Sequence, residues 1–133
     1  MNISTIEKLK AKAKNNLNNI FGFSDYRDGQ EEIIDSILNK EDIIAVMPTG
    51  SGKSLCYQLP SLVFENKTIV ISPLISLIND QVDGLNLLGI PVEKLHSNLS
   101  VDDNKKAFRK FQSDIYLIIL LSLFKQLTIY FKK

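Results

Sequence analysis

The chain has 133 residues, which is room for one compact domain with a single core. Hydrophobic residues make up 44% and charged residues 23%, a balance that excludes a disordered or collagen-like chain. Sixteen basic residues against fifteen acidic ones leave a formal charge of +1, which selects no class of partner.

Ser4 followed by Glu7 has the spacing of a capping box, and apolar residues then recur at Ile6, Leu9, Ala13, Leu17 and Ile20. This predicts an amphipathic helix over residues 1–20, with Lys8, Lys10, Lys12 and Lys14 on a solvated polar side rather than on nucleic acid. Phe21-Gly22-Phe23 breaks the pattern. Asp28 and Glu31 form a second capping box before a helix whose buried stripe is Ile33, Ile34, Ile37 and Leu38. Asp42 to Met47 (DIIAVM) has the apolar, β-branched character of a buried strand. The loop Pro48 to Gly52 and a helix from Lys53 follow, the helix stopping before Pro60. Thr68 to Ser72 (TIVIS) is a second buried strand. Leu74, Leu77, Ile78, Val82, Leu85 and Leu88 keep helical spacing until Gly89 stops them. Val92 to His96 is a third strand and Asp102 to Phe111 a charged surface helix. Short buried strands alternating with helices indicate an α/β fold, a parallel sheet flanked by helices with an N-terminal helical segment.

Cys56 and His96 are the single cysteine and the single histidine, so there is no disulfide partner and no intrachain zinc cluster. The longest apolar run, Ile115 to Phe124, is ten residues. A spanning helix needs about 20. The expectation is a cytoplasmic protein, nucleoid-associated in a bacterium, with no membrane partner.

Thr49-Gly50-Ser51-Gly52-Lys53-Ser54 lies between a predicted strand and a predicted helix, the context of a phosphate-binding loop. Glycines let backbone amides curl around an anion, and the helix start points its free amides and dipole at the same charge. Lys53 would reach the β- and γ-phosphates, and the Ser54 hydroxyl would join a Mg²⁺ shell. Met47 stands where the first glycine of the usual G-x-x-x-x-G-K-[ST] pattern belongs. Cys56 and Tyr57 read as helix packing.

The stretch AVMPTGSGKSLCYQLP (Ala45 to Pro60) resembles motif I of the RecQ family of superfamily 2 DNA helicases, where methionine at the first loop position is common. FGFSDYRDGQEEII (Phe21 to Ile34) resembles the family's motif 0, and SPLISLINDQVDGL (Ser72 to Leu85) its motif Ia. The resemblance runs from about Ile20 through about Phe111, and it implies a partial RecA-like P-loop NTPase lobe over 21–114. It also implies ATP and Mg²⁺ as cofactors and an ATP-dependent 3′–5′ DNA helicase of repair and recombination. Carried over residue by residue, it has Phe23 stack on the adenine while Arg27 and Gln30 contact the nucleotide, Gln30 at the adenine edge. It also assigns Ser72, Ser76, Asn79 and Gln81 to the backbone of single-stranded DNA. Asp28 stands where the family usually has proline. Phe21 reads as core packing. His96-Ser97 falls near motif Ib, and a surface imidazole is an equal reading of His96.

The acidic DEAH-type motif of such helicases is absent, so no catalytic residue is assigned. Downstream of Lys53 the only adjacent acids are Asp102 and Asp103, at the start of a predicted surface helix, and no carboxylate follows Asp114. Residues 115–133 form a hydrophobic tail with the composition of AT-rich DNA read in a wrong frame. The expectation is an ATP-binding helicase piece inactive by itself. A non-catalytic nucleotide- or DNA-binding module and a non-functional remnant of an interrupted gene are the alternatives.

Overall fold

A computed structural model describes residues 2–64, 66–113 and 118–122. The chain divides into two units, Met1–Asn66 and Lys67–Lys133. The division falls inside the range 21–114 expected as one lobe.

The first unit is three helices. α1 (Ile3–Asn19) is capped by Asn2, whose Oδ1 accepts from the Thr5 amide at 2.8 Å, so the Ser4 box is not the cap. Asparagine caps as well as serine, and starting at Asn2 brings Ile3 and Ser4 into the helix. α2 (Gln30–Leu38) is preceded by Gly29 at φ 83°, not by a capping Asp28. A left-handed residue is needed where the chain turns into the helix, and only glycine takes it without strain. α3 (Leu55–Phe64) runs through Pro60 instead of stopping before it. Proline there forgoes one bond, to the Cys56 carbonyl. Burial of Leu59 and Val63 on either side of that missing bond keeps the helix going. Ala13, Leu17, Ile34, Leu38, Leu55, Leu59 and Val63 make the core, with Leu9, Phe21 and Tyr26 packed against it. The packing role expected for Phe21 is what the structure has.

Residues 42–47 do not form the expected strand. Ile44 is 98% exposed and Val46 95% exposed, and no strand pairs with them among the described residues. An apolar run becomes a buried strand only when neighbouring strands take its amides and carbonyls. The lysines of α1 are also not simply solvated. Lys10 pairs with Asp35 at 3.5 Å, Lys12 Nζ donates to the Val63 carbonyl, and Lys14 Nζ is 2.6 Å from Asp25 and 5.1 Å from the Tyr26 ring centre. These bonds tie α1 to its own unit.

The second unit holds β1 (Thr68–Ile71), α4 (Ile75–Leu87), β2 (Val92–Leu95), α5 (Val101–Phe111) and β3 (Ile118–Leu121). The three strands are parallel in the order β1-β3-β2, with Val70, Leu120 and Lys94 in one register row. Segment 118–121, which the sequence reading set in the tail, is therefore the central strand. Residues 115–117 and 123–133 lie outside the described residues.

Successive side chains of a strand face opposite sides. Glu93 meets Lys110 of α5 at 3.8 Å, and Leu95 clusters with Ala107 and Phe111, whereas Lys94 reaches Asn79 of α4. The two helices thus cover opposite faces. α5 is capped by Ser100, whose hydroxyl accepts from the Asp103 amide, and it buries Asn104, Ala107 and Phe111, so it is amphipathic rather than wholly superficial.

Candidate nucleotide and DNA sites

The loop between residue 47 and α3 is shaped by two left-handed glycines, Gly50 at φ 80° and Gly52 at φ 85°. Ser51 folds back on Pro48, its amide 3.2 Å and its hydroxyl 2.5 Å from that carbonyl. The helix begins at Leu55, two residues later than expected, and the Ser54 carbonyl takes the Gln58 amide at 3.0 Å. Among the described residues, no backbone hydrogen bond uses the amides of Gly52, Lys53 or Ser54. Free amides on glycine-permitted backbone at a helix start are the donor set that phosphate needs. The Lys53 side chain is exposed and Ser54 half-buried, so an ammonium and a hydroxyl stand beside those amides. These residues fit a Mg²⁺-bound polyphosphate.

The start of α2 meets this loop. Gln30 is buried, its Oε1 accepting from the Arg27 amide at 2.8 Å and its Nε2 donating to the Gly52 carbonyl at 3.0 Å. Arg27 Nη1 donates to the Gly50 carbonyl at 3.0 Å. Phe23 is 46% exposed, so an aromatic face is open on the segment leading to Arg27. Three residues from motif 0 and six from the loop, Thr49 to Ser54, thus belong to one unit.

Cys56 sits behind the loop, Sγ 3.9 Å from the Gly52 carbonyl and 4.0 Å from Met47 Sδ. Burial pushes its thiol pKa up, which keeps it protonated and unreactive. Tyr57 is likewise raised by burial, and Tyr26 is pushed up to about 12 by burial and then by Asp35, Glu31 and Asp25. Burial is the first cause of all three shifts, in keeping with groups packed within the unit.

The candidate DNA residues all belong to the second unit and differ in exposure. Ser72 is buried after β1, its Oγ a long 3.4 Å from the Leu74 amide. Ser76 is exposed on the first turn of α4. Asn79 Oδ1 accepts from Lys94 Nζ at 2.8 Å, and Gln81 is half-buried. Lys94 escaped the sequence reading because nothing in VEKL sets one strand lysine apart.

His96 is buried, contrary to a surface imidazole. Asn104 holds its backbone from both sides, Oδ1 taking the His96 amide at 3.2 Å and Nδ2 giving to the His96 carbonyl at 3.1 Å. Among the described residues, both ring nitrogens lack a partner, as does the buried Ser122 hydroxyl. Burial, then Lys94, pulls the His96 pKa below its usual value. Asp102 and Asp103 are exposed in the first turn of α5, so they do not stand at a strand end.

A family model described as DEAD/DEAH box helicase matches residues 27–132. The chain belongs to the DEAD/DEAH box helicases, in the RecQ branch. It is 43% identical over 119 residues to the ATP-dependent DNA helicase RecQ of Haemophilus influenzae, covering 90% of this chain and 19% of that protein. It is 45% identical over 103 residues to the ATP-dependent DNA helicase Q-like 2 of Arabidopsis thaliana, covering 75% and 15%. It is 47% identical over 90 residues to the RecQ of Bacillus subtilis, covering 67% and 15%. The chain therefore spans about a fifth or less of the length of these helicases. The helicase match extends past Asp114, through β3 and to residue 132. A RecA-like fold follows from membership, and the parallel β1-β3-β2 sheet is the part of it that these residues display. Among the described residues, no helix is long and apolar enough to cross a membrane.

Proposed function

We propose that this chain is the nucleotide-gripping part of a RecQ-like 3′–5′ DNA helicase of repair and recombination, working in the cytoplasm. Thr49, Gly50, Ser51, Gly52, Lys53 and Ser54 hold the phosphates of ATP, with Ser54 on Mg²⁺. Phe23 stacks on the adenine, and Arg27 and Gln30 contact the nucleotide. The metal screens the phosphate charge when bound. Carrying this reading is the convergence of Arg27 and Gln30 on the loop carbonyls of Gly50 and Gly52. It sets an amide that both donates and accepts next to a phosphate cradle, as recognition of a purine edge requires. Displacement of a fluorescent ATP analogue tests it. ATP should compete better than GTP, and Gln30→Ala should erase the preference.

Single-stranded DNA is the second ligand, held by Ser72, Ser76, Asn79 and Gln81 through contacts that position the strand without reading it. Anisotropy with a labelled oligonucleotide should show weak binding that falls steeply with salt and is lost on Ser76→Ala with Gln81→Ala. Turnover is low, because no acidic pair follows a strand among the described residues. A positioned acid or base contributes about 10²–10⁴ in rate.

The exposure of Ile44 and Val46 supports a second reading, in which the chain is a remnant without a stable fold of its own. Dye binding without a cooperative melt would favour it.

A further inference from the structure

We propose that residues 42–48 of one chain add as a parallel strand to the free edge of β1 in a second copy of this chain. β1 pairs with β3 on one side, and among the described residues no strand takes its other edge. That edge carries apolar surface, with Ile69 53% and Ile71 57% exposed. Through β3 these two share rows with Glu93 and Leu95, which touch α5, so they lie on the α5 side of the sheet. Residues 42–47 have the converse need. Ile44 and Val46 stand two apart, on one side of an extended segment, and are almost wholly exposed. An open strand edge and an unpaired β-branched segment are each a template for the other.

The two stretches match residue by residue, DIIAVMP (42–48) against KTIVISP (67–73). Setting Asp42 beside Lys67 brings Ile44 beside Ile69, Ala45 beside Val70 and Val46 beside Ile71. It also brings Pro48 beside Pro73, so both strands end in the same row, at residues with no amide to give. An antiparallel pairing that keeps the apolar rows would set Pro48 opposite Lys67 and Asp42 opposite Pro73. It forfeits both the ion pair and the common end. The parallel register also agrees with the direction of the sheet. Within the chain Ile44 stays 98% exposed, so this pairing is not made there. Opposite charges at 42 and 67 and the matched lengths make a second copy the fitting occupant. Each copy carries one such strand and one such edge, so two copies exchange strands and leave neither over.

Sedimentation velocity of the whole chain across a range of concentrations tests this, and a reversible shift to twice the monomer mass is expected. Val46→Lys, at a position 95% exposed, and Ile69→Lys should each weaken the dimer at least about tenfold, since each sets a charge where apolar surface is to be covered. Helical circular dichroism should be unchanged in both. Asp42→Lys and Lys67→Asp should each weaken the dimer about two- to fivefold, and together they should restore it. A monomer at every concentration, or a dimer that survives Val46→Lys or Ile69→Lys, overturns the proposal. Protection of amides 43–47 from exchange that is independent of concentration means pairing within one chain and overturns it too. Should Ile69→Lys lose its helical signal, Val46→Lys and the charge exchange decide.

Discussion

Replacing Gly52 by alanine should damage the chain more than replacing Gly50, and the difference isolates what Gln30 does. Both glycines are left-handed, at φ 85° and φ 80°, so each substitution carries the same backbone cost, about 1–2 kcal/mol for an L-residue in that region. Around Gly50 an added Cβ meets nothing within 4 Å, so Gly50→Ala should cost only that amount, less what an exposed loop recovers by relaxing. At Gly52 the added Cβ would stand 2.3 Å from Gln30 Nε2, so the Gln30 side chain has to leave. It would break its bond to the Gly52 carbonyl and pull on its bond from the Arg27 amide. A hydrogen bond has a net worth of about 0.5–1.5 kcal/mol, and a buried amide left unpaired costs about 1–3. Gly52→Ala should therefore be less stable than Gly50→Ala by about 1–2 kcal/mol. Urea unfolding followed by helical circular dichroism measures this in both variants. Equal midpoints would refute the reasoning, because they would mean that Gln30 moves aside at no cost.

Leu59 is fully buried in α3 against α1 and α2, so Leu59→Ala should lose about 2–5 kcal/mol in the same urea experiment. A loss under about 1 kcal/mol would mean that the three-helix core is not formed in solution. Asn104→Ala should cost about 2–4 kcal/mol, since it strands both backbone groups of His96, and Asn104→Asp should recover little because it keeps only the acceptor. Burial holds the His96 imidazole below its usual 6.5, so the unfolded chain takes up a proton that the folded chain resists. Stability should thus fall as pH drops through 6.5 and level off below the folded value, and His96→Asn should flatten the slope. An unchanged slope would place the titration elsewhere.

Helix positions were readable because periodicity is a local property: Ala13, Leu17, Ile34, Leu38, Ile78, Val82 and Leu85 are buried where the 3.6-residue spacing puts them. Caps were less readable, since Asn2 and Ser4 cap equally well and the choice turned on the residues gained. The strand at 42–47 failed for a nonlocal reason. Its apolar run requires ladder partners, and among the described residues it has none. The same logic made Ile118–Leu121 a strand, because β1 and β2 supply a partner on each side. At the candidate site the loop was expected from its residue types and motif 0 from the family resemblance alone. The bond from Gln30 to Gly52 could not be expected, because it depends on where α2 starts, and that turned on Gly29. The Asn104 brace on His96 spans eight residues and leaves no pattern in the sequence.

Calorimetric titration of Mg²⁺-ATP into the chain and into Lys53→Ala tests the central claim most directly. Saturable binding by the wild-type chain, weakened at least about tenfold by the loss of one charge-assisted contact, is the predicted result. Binding of equal strength in both, or none in either, would contradict the assignment of this loop as an ATP site.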